Sequence, residues 1–120
     1  MVIEMAGTAF NVPDALGRLM NNKNLYKKLL DKFAAGYGDF EGKVMAAFGE
    51  GNFEEAIQLS HTMKGLAGNL GAMDLQEASL ALEQIAKGGS RTPELDGALE
   101  KFSLELQRAL KEVADGVDMG

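Results

Sequence analysis

Leu59-Ser60-His61-Thr62-Met63-Lys64-Gly65-Leu66-Ala67-Gly68-Asn69-Leu70-Gly71 carries the one histidine of this chain, and its reading sets the fold around it. Taken as a helix, the run puts His61, Lys64, Gly65 and Gly68 on one stripe and Leu59, Met63, Leu66 and Leu70 on the opposite one. The apolar stripe faces a core, so the imidazole faces away from it, beside a cation and two missing side chains. Glycine inside a helix is about 1 kcal/mol less favourable than alanine. On an outward stripe core packing gives no reason for Gly65 and Gly68; the close approach of another backbone or a bulky charged group does. A nucleophilic imidazole, a lysine one turn along and a cleared landing area point to a histidine that meets a phosphoryl group carried by a partner.

Helices account for the rest of the chain. Val12-Pro13-Asp14 opens a short helix to about Met20, with proline early, where its absent N–H is harmless. Asn24 is placed to cap a helix to about Tyr37, with Leu25, Leu29, Phe33 and Tyr37 every four residues, joined by Leu30. A helix from about Asp39 to Gly49 presents Phe40, Val44 and Phe48. Asn52, with Glu55 three residues on, forms a capping box for the histidine helix, which ends near Gly71. The next helix, Asp74 to Lys87, shows Leu75, Ala78, Leu82 and Ile85, and Gly88-Gly89 stops it. Thr92-Pro93-Glu94 starts the last helix, whose stripe runs through Leu95, Leu99, Phe102, Leu106, Leu110 and Val113. Short loops between amphipathic helices predict an all-α, antiparallel, up-and-down four-helix bundle with an additional short N-terminal helix. The bundle is expected over residues 8–114, with flexible termini at 1–7 and 115–120.

Composition narrows the function. At 120 residues the chain is long enough for one core and has no room for a second catalytic module. Zero cysteines exclude a disulfide framework and thiolate metal sites and suit a cytoplasmic protein. With 18 acidic and 12 basic residues the net charge of −6 argues against nucleic acid as a partner. No apolar run approaches the roughly 20 residues of a membrane span, and Met1–Phe10 lacks the pattern of an export signal. Among the seven methionines, Met45 and Met63 fit apolar faces as flexible core filler. No phosphate-binding glycine loop or kinase loop with metal-binding carboxylates is present, so ATP is not expected to bind.

His61-x-x-Lys64-Gly65, then Ala67-Gly68-Asn69-x-Gly71-Ala72 and Leu75, Ala78, Leu82 and Glu83, resembles the histidine-containing phosphotransfer (HPt) domain family. The likeness extends over residues 8 to about 114 in helix pattern and over 57 to 83 in motif detail. It implies a helical bundle and a phosphorelay intermediate without kinase activity of its own. On that likeness His61, through an outward Nε2, accepts a phosphoryl group from a receiver-domain aspartyl phosphate or a kinase and passes it to a receiver-domain aspartate. Lys64 then steadies the phosphoryl charge, and Gly65 and Gly68 clear the approach of the partner. Response-regulator receiver domains and a sensor or hybrid histidine kinase are the implied partners. Mg²⁺ is expected on the receiver, no cofactor on this chain, and a monomer is the expected state.

Some readings stay open on the residues alone. Ile57, one turn before His61 on the same stripe, is either covered by a neighbouring helix or part of a small apolar docking patch. Gly71 is a helix end or a functional position. The group that bonds the second nitrogen of His61 is not identified. Lys23, Lys27, Lys28 and Lys32 read as a solvated face. A docking-only module that carries no phosphate is disfavoured, because docking needs no imidazole. A phosphate-accepting segment of a larger hybrid or chemotaxis-type kinase is the other alternative.

Overall fold

The computed structural model describes residues 9–117; the expectation for residues 1–7 and the end of that for 115–120 lie outside them. Six helices follow one another: α1 (Val12–Arg18), α2 (Lys23–Gly36), α3 (Phe40–Gly49), α4 (Phe53–Leu70), α5 (Met73–Lys87) and α6 (Leu95–Asp115). No strand occurs among the described residues.

Three of the six helix starts are fastened by asparagine. Asn11 accepts from the Asp14 amide, Asn22 from Leu25 and Asn52 from Glu55. The cap of α2 is therefore Asn22, not Asn24: it lies just ahead of Lys23, where its Oδ1 reaches an otherwise orphaned amide. At α4 the expected capping box forms between side chains, with Asn52 Nδ2 donating to Glu55 Oε1 at 3.1 Å. The α1 helix ends at Arg18, two residues short of the expected Met20; Met20 and Asn21 have positive φ and turn the chain. At the other end α6 continues through Asp115, which pairs with Lys111, and Val117 packs against the core.

Two helix faces differ from the leucine spacing. In α2 the buried residues are Tyr26, Leu30 and Phe33, while Leu25 is exposed. Tyr26 turns the face inward because its hydroxyl has a partner there, donating to the Leu70 carbonyl at 2.8 Å. Burial, aided by the charge of Glu112, pushes that phenol up to about 12. In α4 the fully buried line is Ala56, Ser60, Met63, Ala67 and Leu70, with Leu59 and Leu66 at its half-buried edge. Small residues at 56, 60 and 67 let neighbouring helices approach closely. Met63 is core, as its spacing predicts, but Met45 is 45% exposed; in α3 the inward places belong to Phe40, Val44, Ala47 and Phe48.

Helix α4 lies against α5. Glu83 meets His61 at one level, and Gln76 lies over Gly68 at another, so the two helices run antiparallel. The turn between them depends on Gly71. It has φ +81°, the left-handed region that favours glycine, and a side chain there would meet the Asn11 carbonyl oxygen at 2.5 Å. That carbonyl's own residue donates its N–H to the Gly71 carbonyl at 2.7 Å. The open reading of Gly71 closes here: it ends the helix and seats the chain segment before α1.

Candidate functional site

His61 stands in the middle of α4 with its side chain 67% exposed, as the outward stripe requires. Beneath it, α5 supplies Glu83, whose side chain is 4% exposed. The imidazole Nδ1 is 3.1 Å from Glu83 Oε2. Lys64 Nζ is 2.8 Å from Oε1 of the same carboxylate, and Lys87 Nζ is 3.3 Å from Oε2. One buried carboxylate thus holds a ring nitrogen and two ammonium groups.

The electrostatics follow from that count. Removing a carboxylate from water favours its neutral form, but hydrogen bonds from cations favour the charged one. The Lys64 ammonium, paired with Oε1, is the largest influence on Glu83, and His61 and Lys87 add to it against desolvation. The net effect lowers the carboxyl to about 2. Glu83 is therefore ionised at neutral pH and can only accept hydrogen bonds. Nδ1 must donate, so a neutral His61 ring carries its proton on Nδ1 and its lone pair on Nε2.

The two glycines have different surroundings. A side chain at Gly65 would meet nothing within 4 Å, so that position opens on free space. Gly68 is buried, and a Cβ there would fall 2.5 Å from Gln76 Nε2. Placing Gly68 on a cleared landing area is corrected: its missing side chain makes room for α5, because the inter-helix seam passes along that side of α4. Ile57 is half-buried, with part of its side chain packed against the core and part left at the surface.

Glu83 and Lys87 are what the sequence reading missed. Glu83 stood in the motif without a role. The signal was there: it follows Ser79 by four and precedes Ala86 by three, so a helical wheel puts a carboxylate on the buried side of α5. A carboxylate in that position needs cationic partners. Lys87 had no signal of its own beyond following Glu83 by four. No group of three or more histidine, aspartate and glutamate side chains able to hold a metal ion occurs among the described residues.

The family model for the Hpt domain matches residues 28–116. No curated protein and no solved structure matches the chain. The chain belongs to the Hpt domain family, whose members are phosphocarrier modules of two-component phosphorelays and interact with receiver domains and histidine kinases. No helix among the described residues is long and apolar enough to cross a membrane.

Proposed function

We propose that His61 is the phosphoryl acceptor of this chain and that it relays the group between receiver-domain aspartates, or from a kinase to a receiver. The observation that carries the reading is the pairing of Nδ1 with a buried, ionised carboxylate, which leaves the lone pair on Nε2 of a solvent-exposed ring. In the step, Nε2 forms a bond to phosphorus as the bond from phosphorus to the aspartyl oxygen breaks. The electron pair leaves with the carboxylate of the donor, and His61 becomes a phosphoimidazolium that keeps its proton on Nδ1, donated in a hydrogen bond to Glu83. Positioning and charge neutralisation supply most of such a step. The receiver brings Mg²⁺, and this chain brings the oriented ring and its two lysines. Glu83 is a positioning residue, Lys64 adds positive charge beside the ring, and Gly65 leaves room for the partner. The bundle is built from α2, α4, α5 and α6 in antiparallel order, with α1 and α3 as short additions, and works as a cytoplasmic monomer.

The test is to incubate the protein with receiver domains loaded from acetyl phosphate and to map acid-labile phosphate. Label is expected on His61 and absent from His61→Gln, which should melt as wild type does because the ring is largely solvated. Undiminished label on the variant would end this reading.

A further inference from the structure

Helix α2 bears a charge that the rest of the chain does not share. Its four lysines, Lys23, Lys27, Lys28 and Lys32, stand against one acid, Asp31, which leaves it at +3 in a chain of −6. All four are exposed. Lys27 pairs with Asp31 at 3.3 Å, but among the described residues no carboxylate pairs with Lys23, Lys28 or Lys32. By contrast every basic side chain of α4, α5 and α6 holds a carboxylate: Lys64, Lys87, Lys101, Arg108 and Lys111. Apolar side chains beside the α2 lysines face water as well. Leu25, on one stripe with Lys28 and Lys32, is 40% exposed, and Met20, three residues before Lys23, is 91% exposed.

Met20 has no place in the packing. Helix α1 closes in a Schellman turn, with the Asn21 N–H donating to the Leu16 carbonyl at 2.7 Å. Such a turn needs a residue in the left-handed region, and Met20 fills that position with φ +55°. Glycine is favoured there, because a Cβ is crowded in that conformation. A bulky apolar side chain is thus held on strained backbone and left in solvent. A solvated helix face accounts for the lysines and leaves Met20 unexplained.

We propose that the outer face of α2, with Met20 at its head, rests on the anionic lipid headgroups of a bilayer surface. Lysines on flexible stems suit a fluid layer that offers negative charge without fixed geometry. Protein interfaces are poor in lysine and rich in arginine and aromatic residues, and α2 exposes neither of the latter. Apolar tips beside a row of cations are what an interfacial helix lays among headgroups. The acidity of the rest of the chain is screened beyond about 8 Å at physiological salt, so the local face governs the contact. Helices α2 and α5 each pack on α4 and α6 and so lie diagonally across the bundle. A bilayer against α2 therefore leaves the α4–α5 seam, with His61, turned away from the lipid. The proposal stands apart from the reading of His61 as phosphoryl acceptor.

The full chain is sedimented with vesicles of phosphatidylcholine, alone or with about one third phosphatidylserine, at low salt and at about 0.15 M. Wild type is expected on the phosphatidylserine vesicles only, and less of it as salt rises. Lys28→Gln with Lys32→Gln should weaken binding about fivefold for each lysine removed. Met20→Gly should weaken it about threefold to tenfold and Met20→Leu should keep it, because the apolar tip is what reaches the lipid. Met20→Gly should nevertheless melt at or above wild type, since glycine is favoured at that turn. With spin-labelled lipid in the vesicles, amide signals of residues 20–32 should broaden, and those around His61 and Glu83 should not. Equal partition to both compositions, no partition to either, or wild-type binding by the double lysine variant would overturn the proposal. So would a salt-sensitive self-association that the same substitutions abolish, with no vesicle binding, which would assign the face to a second copy of the chain. None of these results touches phosphate labelling of His61, which fails or succeeds separately.

Discussion

Glu83 Oε2 accepts from His61 Nδ1 at 3.1 Å across the α4–α5 seam, and the two residues are 22 apart in sequence. This one bond ties the chemistry of α4 to the placement of α5. The ring is oriented by a neighbouring helix, so anything that shifts α5 along α4 changes which nitrogen carries the proton.

The first prediction is therefore on Glu83→Gln. An amide is neutral and both donates and accepts, so it no longer dictates the tautomer of His61. Transfer should slow by about tenfold, as when a group that orients a reacting histidine is removed. Stability should fall by about 1–2 kcal/mol at pH 7, where charged hydrogen bonds are lost from a buried site. The sign with pH is fixed by the lowered carboxyl. Its contribution is complete above the ordinary value of 4.5 and is lost as pH falls through about 2. Denaturant melts of the two proteins should differ at neutral pH and converge toward pH 2; a constant difference would mean that Glu83 is not stabilised by its cations.

Helix order was legible in the sequence because caps and apolar periodicity act locally. What each face touches was not, because that depends on partners distant in sequence. Leucine spacing in α2 favoured Leu25, yet Tyr26 is buried because a carbonyl at Leu70 is there to receive its hydroxyl. Met45 reads as core on its own helix and stands in solvent because two phenylalanines of α3 take the inward places. In the site, His61 and the open space at Gly65 follow from the wheel of α4 alone. Gly68 was misread for want of Gln76, and Glu83 had no role until α5 was laid against α4.

Gly68 and Gln76 give the second prediction. A methyl group at 68 meets the far end of a flexible side chain, 2.5 Å from Nε2 and 3.2 Å from Cδ, so Gln76 must swing away. Gly68→Ala gains helix propensity of up to about 1 kcal/mol and loses part of it to that displacement. In a Gln76→Ala background the obstacle is gone, and Gly68→Ala should show the fuller gain. Thermal melts of the four proteins in a double-mutant cycle should give a coupling of about 0.5 kcal/mol or more. Strict additivity would show that Gln76 does not set the requirement for glycine at 68.

Gly65 separates packing from function most cleanly. A side chain there meets no protein atom within 4 Å, so the fold does not need glycine at this position. Removing a helix-interior glycine should firm the protein: Gly65→Ala by about 0.5–1 kcal/mol, a rise of roughly 3–8 °C in a domain of this size. Gly65→Gln should fold equally well, because glutamine is also a better helix former than glycine. Yet position 65 lies one turn from His61 on the exposed side of α4, where an approaching receiver domain has to settle before phosphorus and Nε2 come into line. Phosphotransfer should therefore fall as the side chain grows, slightly for alanine and by about tenfold or more for glutamine, since small misplacements of reacting atoms are costly. Stability and transfer rate would then move in opposite directions across one pair of variants. Wild-type transfer by a well-folded Gly65→Gln protein would show that no partner backbone comes near this turn, and the glycine would be left without a reason.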